Sequence, residues 1–161
     1  MFFIFGSSGF IGRRLKNRLV QKFGNNNINY IGKKYNNKII DLSKGNIFKE
    51  LPIHPYKNVY ILAAKSKFIF NNREKENLQI NKNIAIVKNI IQFCKICKVQ
   101  RIFFISSSSV YSSKNSLPFH EMQNIAPNNS LGKSKYLSEI ILKNAFKKLK
   151  TKIIILRVFT V

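Results

Sequence analysis

MFFIFGSSGFIGRR, residues 1–14, sets four apolar residues before three glycines spaced three apart and then two arginines. A secretory signal carries its positive charge before the apolar run, and here Arg13 and Arg14 follow it, which argues against a targeting segment. Phe2 to Phe5 has the length of a buried strand, and the periodicity predicts a helix from Phe10 to Gln21. Strand, glycine turn and helix form the opening of a dinucleotide-binding fold. Each glycine has its own physical reason: Gly6 for the tight turn, Gly9 for close approach of backbone to a pyrophosphate, Gly12 for packing helix on strand. Amides at the helix start would face the phosphates, with the helix dipole adding partial positive charge. The candidate cradle is Gly6, Ser8, Gly9, Phe10, Ile11 and Gly12. Its spacing is GxxGxxG, a variant of the more common GxGxxG.

The chain has 161 residues, 45% of them apolar, which predicts one globular domain over residues 1–161. No apolar run approaches the roughly 18 residues that a membrane-spanning helix requires, so a soluble, cytoplasmic protein is expected. Cys94 and Cys97 stand three apart inside a helical pattern with no second pair, and are read as structural. His54 and His120 have no carboxylate or cysteine at ligand spacing and are read as loop residues, so no metal site is expected. Lys and Arg number 29 against 6 Asp and Glu, a net charge of +23. Such an excess attracts nucleic acid without specificity. The basic residues are scattered, however, and rise together with Asn, Ile and Phe. They are therefore read as compositional background, with no specific nucleic-acid or membrane partner expected.

Short apolar runs alternate with longer periodic ones. Strands are predicted at Ile28–Gly32, Lys38–Leu42, Asn58–Ala63, Arg101–Ser106 and Lys152–Val158, after the first at Phe2–Phe5. Helices are predicted at Gln79–Cys97 and Ser134–Lys148, and turns at Asn25–Asn27, Asn36–Asn37 and Pro127–Ser130. The alternation predicts an α/β fold: a doubly wound parallel sheet, or Rossmann fold, with helices on both faces.

Four further stretches follow the glycine turn in order: IIDLS (39–43), ILAAKS (61–66), FFISSSSVYSS (103–113) and PNNSLGKSKYLSE (127–139). Together they resemble the extended short-chain dehydrogenase/reductases, specifically the NAD(P)-dependent nucleotide-sugar epimerases, dehydratases and reductases, over nearly the whole chain. The resemblance implies that Asp41 and Leu42 contact the adenine, that Leu62, Ala63 and Ala64 line the cofactor groove, and that Asn83 matches a helix asparagine of the family. It also implies NAD or NADP as cofactor, a nucleotide-linked sugar as substrate if the protein is active, and a possible homodimer. An acidic residue at the end of the second strand would bind the ribose hydroxyls of NAD, and a cation would accept the extra phosphate of NADP. Here Gly32 is followed by Lys33 and Lys34, which favours NADP.

In this family a serine or threonine, a tyrosine and a lysine carry the chemistry. Alignment places the serine role on Ser107 and the lysine role on Lys135, while the tyrosine position, four residues before the lysine, is Leu131. Leucine has no proton to transfer, so the acid–base step has no evident agent. Tyr136 projects from another helix face, and Ser130 has an ordinary hydroxyl, which leaves Tyr111 as the nearest stand-in. The family's carboxy-terminal portion supplies most of the sugar pocket. Arg157 to Val161 resembles the start of its LRxxNVYG stretch, so a cofactor-binding half without that pocket is expected. The alternative is a non-catalytic NAD(P)-binding module or a gene remnant; a basic nucleic-acid-associated protein is the remoter rival.

Overall fold

The computed structural model describes residues 1–35, 38–45, 49–67, 69 and 72–159. Five parallel strands make the central sheet: β1 (Phe2–Phe5), β2 (Ile28–Ile31), β5 (Asn58–Ile61), β6 (Arg101–Ser107) and β7 (Lys152–Val158), in the order β2-β1-β5-β6-β7. Phe2 pairs with Ile28 on one side and with Asn58 on the other. The chain therefore reverses its direction of winding at β1, and the crevice beyond the carboxyl ends of β1 and β5 lies at the switch point where such sheets bind ligands.

Strand alternation divides the core. Phe3 and Phe5 point to the face covered by α2 (Arg73–Ile96) and α3 (Ser130–Phe146), where they join Tyr56, Ile90, Phe93, Phe104 and Leu142. Ile4 points the other way, to α1 (Phe10–Phe23), and packs with Leu19 and Ile28. Phe93 is fully buried, with ring centroids 4.9 Å from Phe3 and 5.3 Å from Phe5, edge-on to the latter. Such offset and edge-to-face pairs add to the gain from burial.

Three elements differ from the sequence expectation. The strand expected at Lys38–Leu42 does not enter the parallel sheet. β4 (Lys38–Ile39) pairs antiparallel with β3 (Lys34–Tyr35), Lys34 against Ile39. A parallel neighbour of β2 would need a crossover of a dozen or more residues, and the few between Ile31 and Lys38 allow only a hairpin. The turn expected at Asn36–Asn37 lies outside the described residues. α2 starts at Arg73, six residues before the expected Gln79, because the Asn72 side chain accepts from the Lys75 amide, and Glu74 and Glu76 complement the helix dipole in the first turn. α3 starts at Ser130, within the expected turn, because the Asn129 side chain accepts from the Gly132 amide. Among the described residues no helix is long and apolar enough to cross a membrane.

Removing the Phe93 ring leaves a cavity among its aromatic neighbours Phe3, Phe5 and Tyr56. Phe93→Ala is expected to lower unfolding free energy by about 3–5 kcal/mol, measured by urea denaturation.

Candidate functional site

The turn after β1 brings chain segments unusually close. Gly6 has φ +95°, and a Cβ there would lie 2.6 Å from the Ala63 nitrogen, so the end of β1 passes directly beside the segment that follows β5. The Gly6 and Ser7 amides both donate to the Ile31 carbonyl, at 2.8 and 2.9 Å, which ties the turn to β2. A Cβ on Gly12 would lie 2.1 Å from the Gly6 oxygen, so α1 can sit this close only with glycine at that position. Gly9 is different, since its Cβ would meet nothing nearer than the Gly6 oxygen at 3.5 Å, an ordinary contact. Packing within the protein does not require glycine there; a ligand approaching the backbone would. No side chain caps the start of α1, which suits its first amides to an anion.

This turn floors a cavity of about 560 Å³, whose walls include Gly9, Phe10, Ile11, Leu62, Ala64, Ser66, Ser107, Leu131 and Lys135. The opening motif and the later ILAAKS, SSSS and GKSK stretches thus converge, as the sequence predicts. Ala63 stands beside Gly6 and packs on the main core. Ser8 lies on the outer side of the turn, its Cβ 2.9 Å from where a Cβ on Gly32 would be. Lys33 is exposed just beyond β2. Asp41 and Leu42 are not brought to this cavity. The Asp41 carboxylate accepts from the Ser43 amide at 2.9 Å and from its hydroxyl at 2.6 Å, bonds that hold the carboxyl below its ordinary range. Leu42 is buried in the core. The early end of β4 leaves both residues in a turn.

Leu131 and Lys135, one helical turn apart on α3, face the cavity together with Ser107 from the end of β6. The Ser107 hydroxyl donates to the Ser109 hydroxyl and accepts from the Ser109 amide, both at 3.1 Å. The Lys135 ammonium donates to the Ile105 carbonyl at 2.6 Å and lies 5.0 Å from the centre of the Phe104 ring. Burial pushes its pKa down to about 8, against the opposing pull of the Glu139 charge one turn along α3.

The remaining hydroxyls are engaged elsewhere. Ser130 donates to Gln79. Tyr111 accepts from Arg157 at 3.2 Å and lines a separate cavity of about 660 Å³ beside β7, so it does not stand in for the hydroxyl that Leu131 lacks. Arg157 also pairs with the buried Glu139 at 2.8 Å, and Glu139 accepts from Ser106. Sequence reasoning missed this network. Its signal was a carboxylate four residues after Lys135 on a helix face that is otherwise buried. Cys94 and Cys97 are both buried, and burial pushes both thiols up, away from reactivity. Among the described residues no group of His, Cys, Asp and Glu could hold a metal.

The fold is a doubly wound parallel α/β sheet with a cavity at its switch point. Residues 2–161 match the NAD dependent epimerase/dehydratase family, and the chain belongs to it. No curated protein matches it closely in sequence. Among solved structures it is similar to a short-chain dehydrogenase/reductase superfamily protein from Agrobacterium tumefaciens with bound NAD (21% identity, TM-score 0.80, covering 98% of this chain and 48% of that one). It is also similar to the UDP-glucuronic acid 4-epimerase from Bacillus cereus in complex with NAD (24% identity, TM-score 0.72, 99% and 56%). A third is an L-threonine dehydrogenase from Cupriavidus necator (19% identity, TM-score 0.81, 97% and 53%). The chain thus spans about half the length of the structures it resembles.

The depressed pKa of Lys135 has a definite sign in stability. Its folded value, about 8, lies below its ordinary 10.5. The unfolded chain therefore holds the extra proton between these values, and wild-type stability gains from Lys135 as pH rises through that window. Wild type is expected to gain stability relative to Lys135→Met between pH 8 and pH 10, measured by urea denaturation at stepped pH.

Proposed function

We propose that this chain binds a nicotinamide dinucleotide across the switch-point crevice, as the cofactor half of a nucleotide-sugar epimerase, dehydratase or reductase. The observation that carries it is Gly9, a glycine that the protein's own packing does not need, at an uncapped helix start. The pyrophosphate would rest on the amides around Gly9, Phe10 and Ile11, with Gly6 and Gly12 holding the turn in shape. Leu62, Ala63 and Ala64 would flank it, and Ser8 and Lys33 would meet the adenosine ribose. The end of β2 carries Gly32 and then Lys33, with no carboxylate to hold a free 2′-hydroxyl, so NADP should bind more tightly than NAD. Asp41 and Leu42 would reach the adenine only after the turn at Ser43 rearranges.

The cofactor supplies a hydride donor or acceptor, and this chain's residues do the rest. Ser107 would hydrogen-bond the reacting oxygen, and Lys135 would hold the nicotinamide ribose. At the position where the family's tyrosine moves the proton, Leu131 offers only hydrocarbon. The chain therefore binds cofactor with little or no turnover of its own. The nucleotide-linked sugar, the substrate class suggested by the UDP-glucuronic acid 4-epimerase likeness, belongs to the ancestral reaction.

Calorimetric titration should give saturable binding of NADP with NAD weaker. Gly9→Val should leave the fold intact, because φ −74° and ψ 174° at Gly9 suit any residue, and should weaken binding at least 100-fold. Unchanged affinity in Gly9→Val would overturn the proposed cradle. In the same preparation, Leu131→Tyr is expected to raise turnover of UDP-sugars above the wild-type background, read as a change in nicotinamide absorbance or as epimer formation.

A further inference from the structure

We infer that Gln79, on the buried face of α2, is a positioning residue that sets the nicotinamide half of the groove by tying the segment after β5 to the first turn of α3. This rests on the cofactor reading above and adds a residue that the family resemblance did not supply. Gln79 is only 4% exposed, and both ends of its amide are used. Its nitrogen donates to the Lys65 carbonyl at 2.9 Å and to the Lys67 carbonyl at 2.7 Å, while its oxygen accepts from the Ser130 hydroxyl at 2.5 Å. One turn further along α2, Asn83 repeats the pattern: it accepts from the Lys65 amide at 2.7 Å and donates to the Lys65 carbonyl at 3.1 Å and to the Ser134 hydroxyl at 2.9 Å.

Two rungs thus bridge the same two segments, and each segment contributes to the cavity wall. Ala64 and Ser66 come from one side, Leu131 and Lys135 from the other. The bridged residues 65–67 form neither helix nor strand, so their carbonyls are held by side chains of α2: that of Lys67 by Gln79, and that of Lys65 by Gln79 and Asn83 together. A buried helix position that served packing alone would take an apolar residue, since burying an amide gains nothing unless its partners need fixing. The groove splits accordingly. A dinucleotide seated with its pyrophosphate at α1 places adenosine toward β2 and nicotinamide toward β6 and α3, and Gln79 acts on the second half alone.

The split gives the test. Gln79→Met keeps the length of the side chain and loses all three hydrogen bonds. It should weaken NADP binding at least tenfold by calorimetry while leaving the affinity for adenosine 2′,5′-bisphosphate, which fills only the β2 side, unchanged. Ser130→Ala, which breaks only the α3 side, should weaken NADP binding severalfold with the same selectivity, and serves if Gln79→Met fails to fold. Asn77→Ala, on the exposed face of α2, should change neither. A loss of melting temperature with unchanged NADP affinity in the folded variant would reduce Gln79 to a structural role and overturn the inference, as would equal losses for both ligands. If wild type binds the bisphosphate but not NADP, the cofactor reading survives for the adenosine half alone and the role of Gln79 is overturned. If wild type binds neither ligand, both fall.

Discussion

The contact of Gly12 with the Gly6 carbonyl is the constraint on which the rest of the structure hangs. No side chain larger than hydrogen fits between the start of α1 and the end of β1, where a Cβ would stand 2.1 Å from an oxygen. That closeness aims the uncapped amides of α1 into the crevice between β1 and β5. It also seats α1 on one face of the sheet, over Ile4 and Ile28, and leaves the other face to α2 and α3. The same turn, with Gly6 against Ala63, closes the gap between β1 and the segment that follows β5. Fold and candidate site are therefore consequences of one arrangement of backbone.

Much of this was legible in the residues. Phe2–Phe5, the three glycines and the alternation of apolar runs predicted a parallel sheet, and the five-stranded sheet follows that plan with strand limits shifted by a residue or two. The expected sixth strand was not legible as a hairpin, because Ile39, Ile40 and Leu42 look like a strand in composition. What they lack is a connection long enough to return in parallel. The helix starts were misjudged because the caps, Asn72 and Asn129, lie among residues whose composition suits turns equally well. In the groove, Ser107 from the end of β6 meets Leu131 and Lys135 from the first turns of α3, two stretches that the ordered motifs mark in the sequence. Gln79, Glu139 and Arg157 were not legible. Hydrogen bonds between elements leave little trace in one sequence beyond a polar residue on a buried face.

The groove brings together main-chain amides with polar and apolar side chains. The glycine turn, Lys135 and Ser107 line one cavity, and Leu131 adds hydrocarbon to the same wall. Lys135 is shaped by its surroundings more than by its own chemistry. Burial discourages its charge, the Ile105 carbonyl and the Phe104 ring favour it, and Glu139 favours it from one turn away. Glu139 itself is held by Arg157 and Ser106, so the network at the end of β7 and the lysine in the groove share one carboxylate. That carboxylate links β7 to Lys135, although neither Glu139 nor Arg157 lines the groove.

The most direct measurement of the central claim is a map of backbone amide shifts by nuclear magnetic resonance as NADP is added to isotopically labelled protein. The account predicts the largest changes at Gly9, Phe10, Ile11 and Gly12, with smaller ones at Ala64, Ser107 and Lys135. Saturating shifts confined to the cavity beside β7, or no shift at the glycine turn at any concentration, would contradict it.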